Sequence, residues 1–418
     1  MAVRARHAMV ALAWIASLAL VGLLTWHART ADPSAARPDA HPLDRTDADR
    51  APRPPPHATA TARPEPDGPP RAHGGGRRST HRSSLRGPAT ARIAWSLPLR
   101  ARITAQPVVT PSGDIVVGTR DGVLYGLSRD GAQRWRASLD GRLETAALVS
   151  ADGTLRVATA DGVLHTLSLD GRLLRRLALE APVEAPPVET PDGNLLVAAG
   201  HRLWALDRTD RVLWRFVASD LIAAAPAVAD DGTVYVAARD DRLRALAPDG
   251  RLLWELPTGD DVDAGPLLGD DGTVYAGCDD RHVYAVAPDG VLRWATDLGA
   301  FVRAPLALGR DGTLLATTCG PRIRLVALDA RTGLPRWEHL LSLAPDRHHC
   351  PYAGALVDRD GHAYVGDLDG HLRSVAADGS LRWTTDALGA PVTGALALVD
   401  DGLLLAASAD GTLWAIGP

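Results

Sequence analysis

Residues 343–354 read LAPDRHHCPYAG and bring His348, His349, Cys350 and Tyr352 within five positions. Imidazole and thiolate are metal ligands, and a cysteine is one half of a disulfide. The chain has three cysteines, Cys278, Cys319 and Cys350, all in its C-terminal half. Three leaves one over after any pairing and is too few for a disulfide scaffold. The spacing of the histidines and Cys350 matches no standard zinc signature. Three readings therefore stay open: a metal site, a disulfide, or a longer loop with a free thiol. A second group able to bind charge is Glu144, Glu184, Asp263 and Arg303. No GxSxG, Walker loop or HExxH sequence occurs. What these groups do depends on the elements that carry them.

Those elements repeat. Trp95, Trp135, Trp214, Trp254, Trp294, Trp337 and Trp383 stand in similar contexts, and Arg175 in DGRLLRRL holds the place that Trp254 holds in DGRLLWEL. The successive intervals are 40, 40, 39, 40, 40, 43 and 46 residues. A period near 40 denotes a repeat architecture. The unit is clearest in DGTVYVAARDDRLRALAPDGRLLWEL (231–256) and DGTVYAGCDDRHVYAVAPDGVLRWAT (271–296). Each unit reads as four short strands joined by Asp-Gly turns, where Gly takes the φ > 0 position. Its first three strands are apolar on both faces, as in sheets sandwiched between neighbours. Radially arranged four-stranded units make a β-propeller. Eight second-strand turns occur, but the eighth unit ends after its third strand, at TLWAIGP. RIAWSL (92–97) has the fourth-strand pattern and no unit of its own. The expected fold is all-β, an eight-bladed propeller over residues 91–418, with Trp95 closing the ring and leaving no open edge.

In such a ring, the loops entering each first strand share one face with the loops between second and third strands. Cys278, Cys319 and the 343–354 insert fall on that face. Cys319 and Cys350 belong to adjacent blades, so a Cys319–Cys350 disulfide is expected if the propeller sits in an oxidising compartment. The entry loops also place Thr104, Glu144, Glu184, Ala223, Asp263, Arg303 and Thr393 in equivalent positions. Glu144, Glu184, Asp263 and Arg303 there form a polar channel mouth for a cation or basic side chain, or are solvated channel residues without a ligand. His348, His349, Cys350 and Tyr352 form a top-face loop and part of a binding surface.

Ahead of the repeats, residues 8–26 are uncharged, follow Arg4 and Arg6, and would span about 28 Å as a helix. Trp26, His27 and Arg29 stand where a signal-cleavage site belongs. The segment 1–30 therefore reads as an uncleaved signal anchor, with a cleaved signal peptide as the alternative. Residues 31–90 hold twelve prolines and only Leu43 and Leu85 as sizeable aliphatics, so they read as a disordered linker. The formal charge is −5 overall, and residues 1–30 and 31–90 carry +3 each, leaving −11 for residues 91–418. An acidic body argues against nucleic-acid binding, which relies on basic surfaces.

VALDARTGLPRW (326–337), DGVLYGL (121–127) and GTLWAI (411–416) resemble the consensus of pyrroloquinoline-quinone-type (PQQ) propeller repeats. The resemblance covers residues 91–418. It implies that Trp135, Trp214, Trp254, Trp294, Trp337 and Trp383 dock neighbouring blades. The family includes quinoprotein dehydrogenases and the non-catalytic outer-membrane assembly propeller BamB. The dehydrogenases carry long inserts, vicinal cysteines, and carboxylate and amide ligands for Ca²⁺ beside the quinone. Here the units have almost no inserts, no cysteines are adjacent, and Asn194 is the only asparagine. The chain therefore resembles BamB more than the dehydrogenases, and no cofactor, no metal and no catalytic residue is expected. The implied role is a binding or scaffolding module of the bacterial envelope, with an envelope protein or peptide as partner. It would be anchored in the inner membrane facing the periplasm, or released there if the signal is cleaved. The alternative is a degenerate quinoprotein-type oxidoreductase or other small-ligand enzyme.

Overall fold

The computed structural model describes residues 81–99, 101–345, 350–351, 353–392, 394 and 396–418. The hydrophobic run 8–26, linker residues 31–80, Thr393, and the top-face residues His348, His349 and Tyr352 lie outside the described residues. Among the described residues, no helix is long and apolar enough to cross a membrane.

The described strands form eight four-stranded antiparallel sheets. Seven are built from consecutive strands: blade 1 spans residues 108–138, blade 2 148–178, blade 3 188–217, blade 4 227–257, blade 5 267–297, blade 6 307–343 and blade 7 356–384. The eighth joins the two ends of the chain. Ile93–Pro98 pairs with Thr412–Ile416, setting Trp95 opposite Ala415 and Ser96 opposite Trp414. The ring is an eight-bladed propeller with a mixed closing blade.

Burial follows position within the blade. In blade 4, Val234–Ala238 is buried throughout, whereas the outer strand Leu252–Pro257 alternates exposed and half-buried residues. Middle strands are covered on both faces because apolar clusters are shared between blades. One cluster sets Tyr235 and Leu243 of blade 4 against Val262, Leu268 and Val274 of blade 5. Outer strands have solvent on one side and must carry their own docking device.

That device is the tryptophan. The indole Nε1–H of Trp214 donates to Pro248 O at 2.8 Å, that of Trp254 to Pro288 O at 2.8 Å, and that of Trp337 to Ala377 O at 2.8 Å. Trp294 reaches Ala330 O at 3.1 Å, and Trp95 reaches Arg129 O at 3.0 Å across the closure. Each acceptor lies in the turn between third and fourth strands of the next blade. The ring lies flat on the glycine of that turn: a Cβ on Gly250, whose φ is +85°, would sit 2.6 Å from Trp214. Glycine is required there twice, for the left-handed backbone and for the close approach. Trp135 packs on Gly171 in the same way.

One junction uses different chemistry. Arg175 replaces the tryptophan of blade 2, and Asp210, with φ 69°, replaces the turn glycine of blade 3. Arg175 donates to Asp210 at 2.8 Å and to Arg208 O at 2.9 Å, the carbonyl equivalent to Pro248 O. Arg156, 3% exposed, donates to the other Asp210 oxygen at 2.5 Å. An ion-pair triad thus stands in for an indole on a glycine.

The linker boundary at residue 90 is corrected. Residues 81–90 lie on the propeller, where Ser83 N donates to Val357 O at 2.7 Å and Val357 N to His81 O at 3.0 Å. Their composition has too little apolar surface to order them alone. Order comes from hydrogen-bond partners on blades 7 and 8, which composition does not report.

Asp210→Asn should cost about 3 kcal/mol of stability, because it leaves the buried Arg156 charge poorly compensated. Arg175→Ala should cost less, since Arg175 is 43% exposed. Denaturant midpoints of the two variants check the order; equal losses would remove the burial argument.

Candidate functional site

The loop face is built from entry loops and second-to-third-strand loops that are tied together within each blade. Arg120 N donates to Arg102 O, Arg239 N to Leu221 O, Asp279 N to Asp261 O and Cys319 N to Phe301 O, each at 2.9 Å. These bonds hold the four residues at one equivalent position, with side chains directed toward the next blade.

There each meets a partner. Arg120 donates to Glu144 at 3.1 Å, and Arg239 donates to Asp263 at 2.7 and 3.3 Å. Arg303 donates to Asp279 at 2.9 Å, with the signs reversed. Arg142 also lies 3.3 Å from Glu144. Three of the four residues read as a channel mouth, Glu144, Asp263 and Arg303, are therefore halves of ion pairs between adjacent blades. The fourth, Glu184, acts through its charge: with Asp263 and Asp261 it helps hold the Arg239 guanidinium protonated, behind the larger effect of the Asp263 hydrogen bond. The partners Arg120, Arg239 and Asp279 were not singled out in the sequence. The signal for them is a constant offset of 24 residues between complementary charges.

Between blades 6 and 7 the same position is covalent. Cys319 and Cys350 form a disulfide with Cα atoms 4.4 Å apart, closing 31 residues of sequence. Both are buried. Cys278 is the free thiol among the described cysteines. It is buried and its Sγ donates to Asp260 O at 3.1 Å, and burial pushes its pKa up to about 12. Around these locks the face is acidic, with exposed Asp140, Glu180, Asp220, Asp241 and Asp260. Carboxylates of Asp241, Asp260 and Asp261 lie within 4.8 Å of one another. Burial, then the charges of Asp263 and Asp260, raise Asp261 to about 6.

Asn194, the only amide with the side-chain type of a quinone-site ligand, sits in the turn after the first strand of blade 3, on the opposite face. Its backbone N donates to Thr190 Oγ1 at 3.1 Å. Asn194 therefore lies away from the loop face.

An eight-bladed ring whose blades dock by indole-on-glycine contacts, with short loops tied to each other, is a PQQ-type propeller built without inserts. A family profile described as outer membrane protein assembly factor BamB matches residues 86–182, 168–260, 239–375 and 322–417, and the chain belongs to that family. Among solved structures, BamB from Moraxella catarrhalis is similar with a TM-score of 0.63 at 20% identity, covering 78% of this chain and 97% of that one. A europium-containing methanol dehydrogenase reaches 0.70 at 13% identity, covering 84% and 99%. Quinohemoprotein alcohol dehydrogenase from Comamonas testosteroni reaches 0.69 at 14%, covering 86% and 81%. At these identities the likeness shows the fold alone, and 1498 solved chains share it. No curated protein matches in sequence.

Reduction, or Cys319→Ser, should lower stability by about 3–4 kcal/mol, the unfolded-chain entropy released by opening a loop of about 30 residues. Denaturant midpoints with and without reductant check it, and the variant should ignore the reductant. A second outcome concerns pH. The folded pKa of Asp261 is raised, so the unfolded chain loses its proton first and stability falls as pH rises from about 4 to about 6. Asp261→Asn should therefore raise the midpoint at pH 7.5 and leave it unchanged at pH 4.

Proposed function

We propose that the chain is a non-catalytic binding or scaffolding propeller of the bacterial cell envelope, presenting its loop face to a protein or peptide. The observation that carries this reading is the family match over residues 86–417 on a ring with almost no inserts. Most loops of the face are short, and in blades 1, 4, 5 and 6 a central side chain is engaged in an ion pair or a disulfide with the next blade. Such a face is rigid and pre-organised, which suits docking of a complementary surface. Its exposed carboxylates select for a basic patch on that partner. The uncharged run 8–26 fits a membrane tether or an export signal, and either supports a propeller that faces the periplasm or is released there. A periplasmic setting is also one in which the Cys319–Cys350 bond persists.

The competing reading is a quinoprotein-type oxidoreductase, kept by the likeness to methanol and alcohol dehydrogenases. One experiment separates them. Photo-crosslinking residues placed at Asp241 and Asp260 on the loop face, and at Arg172 on the opposite face, are used in native envelopes with mass spectrometric readout. A specific protein adduct is expected from the loop-face positions and not from position 172. Purified protein that binds PQQ with Ca²⁺ stoichiometrically and reduces an artificial electron acceptor in the presence of an alcohol would overturn the scaffold reading.

A further inference from the structure

In seven blades a tight turn joins third and fourth strands; in blades 1, 4, 5, 6 and 7 it supplies the carbonyl that the preceding tryptophan bonds, and in blade 3 the one that Arg175 bonds. In blade 8 those two strands come from opposite ends of the chain, so no such turn joins them. Trp383 of blade 7 nevertheless donates its indole N–H, at 3.1 Å, to Pro88 O. The segment before the closing strand has taken the place of the missing turn.

The contacts of that segment read its side chains one after another. Arg82 forms a two-bond pair with Asp270 of blade 5, at 3.0 and 2.8 Å. The backbone around it extends the innermost strand of blade 7 in parallel, through both polar groups of Val357. Ser83 is buried and its hydroxyl accepts from Leu85 N at 2.9 Å. Leu85 packs on the apolar cluster of Leu356, Tyr364 and Trp383. Arg86 pairs with Asp360 at 3.0 Å while its N donates to Asp401 at 2.8 Å. Gly87 N donates to Asp358 at 3.0 Å, and a Cβ on Gly87 would lie 2.1 Å from the Tyr364 hydroxyl. Tyr364 cannot withdraw, since it is fully buried and its hydroxyl donates to Asp358 at 2.9 Å. The carboxylate of Asp358 is thus occupied by Gly87, Tyr364 and His362, not poised for a metal.

We propose that the turn face carries a peptide-recognition groove across blades 5, 7 and 8, and that residues 82–88, RSSLRGP, are its cis ligand. The groove takes an extended segment with arginine, a buried serine, leucine and then Gly-Pro. Three of its elements are the usual means of peptide capture: strand addition for affinity, carboxylates for arginine, and a wall that admits only glycine. Because residues 81–83 add to an innermost strand, the chain upstream joins the propeller near the channel axis and not at the rim. The groove does not rest on the proposed function.

The test is trypsin digestion of the full chain under native conditions, following the Arg82–Ser83 and Arg86–Gly87 bonds by mass spectrometry. Both should be cut at least about tenfold more slowly in the wild type than in the unfolded chain, because cleavage requires local opening. Gly87→Ala should remove that protection, with the tryptophan fluorescence melt of the ring retained. A labelled peptide of residues 80–90 should then bind the Gly87→Ala protein and not the wild type, whose groove is filled. Should Gly87→Ala unfold the ring, Asp270→Arg is used for the same cleavage assay, and Arg82→Glu added to it should restore protection at Arg86–Gly87. Wild-type bonds cut as fast as in the unfolded chain would overturn the proposal. So would a released variant that fails to bind the peptide. None of these readouts depends on a membrane or on an envelope partner, so they separate from failure of the scaffold reading.

Discussion

The contact between a tryptophan on six of the eight outer strands and the glycine turn of the next blade holds the ring in order. A propeller blade is a four-stranded sheet that cannot bury its faces alone, and the apolar clusters shared between blades are non-directional. They would tolerate small slides of one sheet over another. The indole N–H, given to one defined carbonyl, and the flat ring, seated where a Cβ has no room, fix both register and spacing. At the junction between blades 2 and 3 the same carbonyl position is kept, at Arg208 O, although the donor has become a guanidinium. What the fold preserves is the acceptor and the geometry, not the residue type.

The loop face obeys a second constraint that is independent of the first. In blades 1, 4, 5 and 6 one equivalent position reaches the next blade's entry loop, and it is filled by arginine, by aspartate or by a half-cystine. The exposed ion pairs contribute little stability individually, since solvent screens them. Their value is positional, holding short loops in one arrangement. The disulfide stands on one of the two longest entry loops, 344–355 into blade 7, where a single ion pair would restrain little.

Much of this was legible in the sequence because it repeats. The 40-residue rhythm, the eight turns and the orphan strand RIAWSL sufficed for blade count and closure, since each rests on local patterns seen many times. Arg175 stood out as an interruption, but its counterpart Asp210 did not, because an aspartate in a turn is unremarkable without its neighbour. The inter-blade pairs escaped for a related reason. Their offset is constant while their signs invert at Arg303, so no single-residue consensus marks them. The order of residues 81–90 was invisible to composition: Arg, Ser, Gly and Pro bury little surface, and the carboxylates that order Arg82, Arg86 and Gly87 come from more than 180 residues further along the chain.

The mixed closing blade also sets a clock. The strand Ile93–Pro98 finds its partner only when Thr412–Ile416, the last strand of the ring, is present. During synthesis or export the first strand and its tryptophan must wait, exposed, while seven blades form behind them. Closure is therefore a late event with a large loop entropy, and high sequence separation of this kind slows folding. A partly synthesised chain has a curved stack of blades with an open edge at either end. Until the strand Thr412–Ile416 arrives, each edge is a template for pairing with another chain, so that strand acts as the release from a vulnerable intermediate.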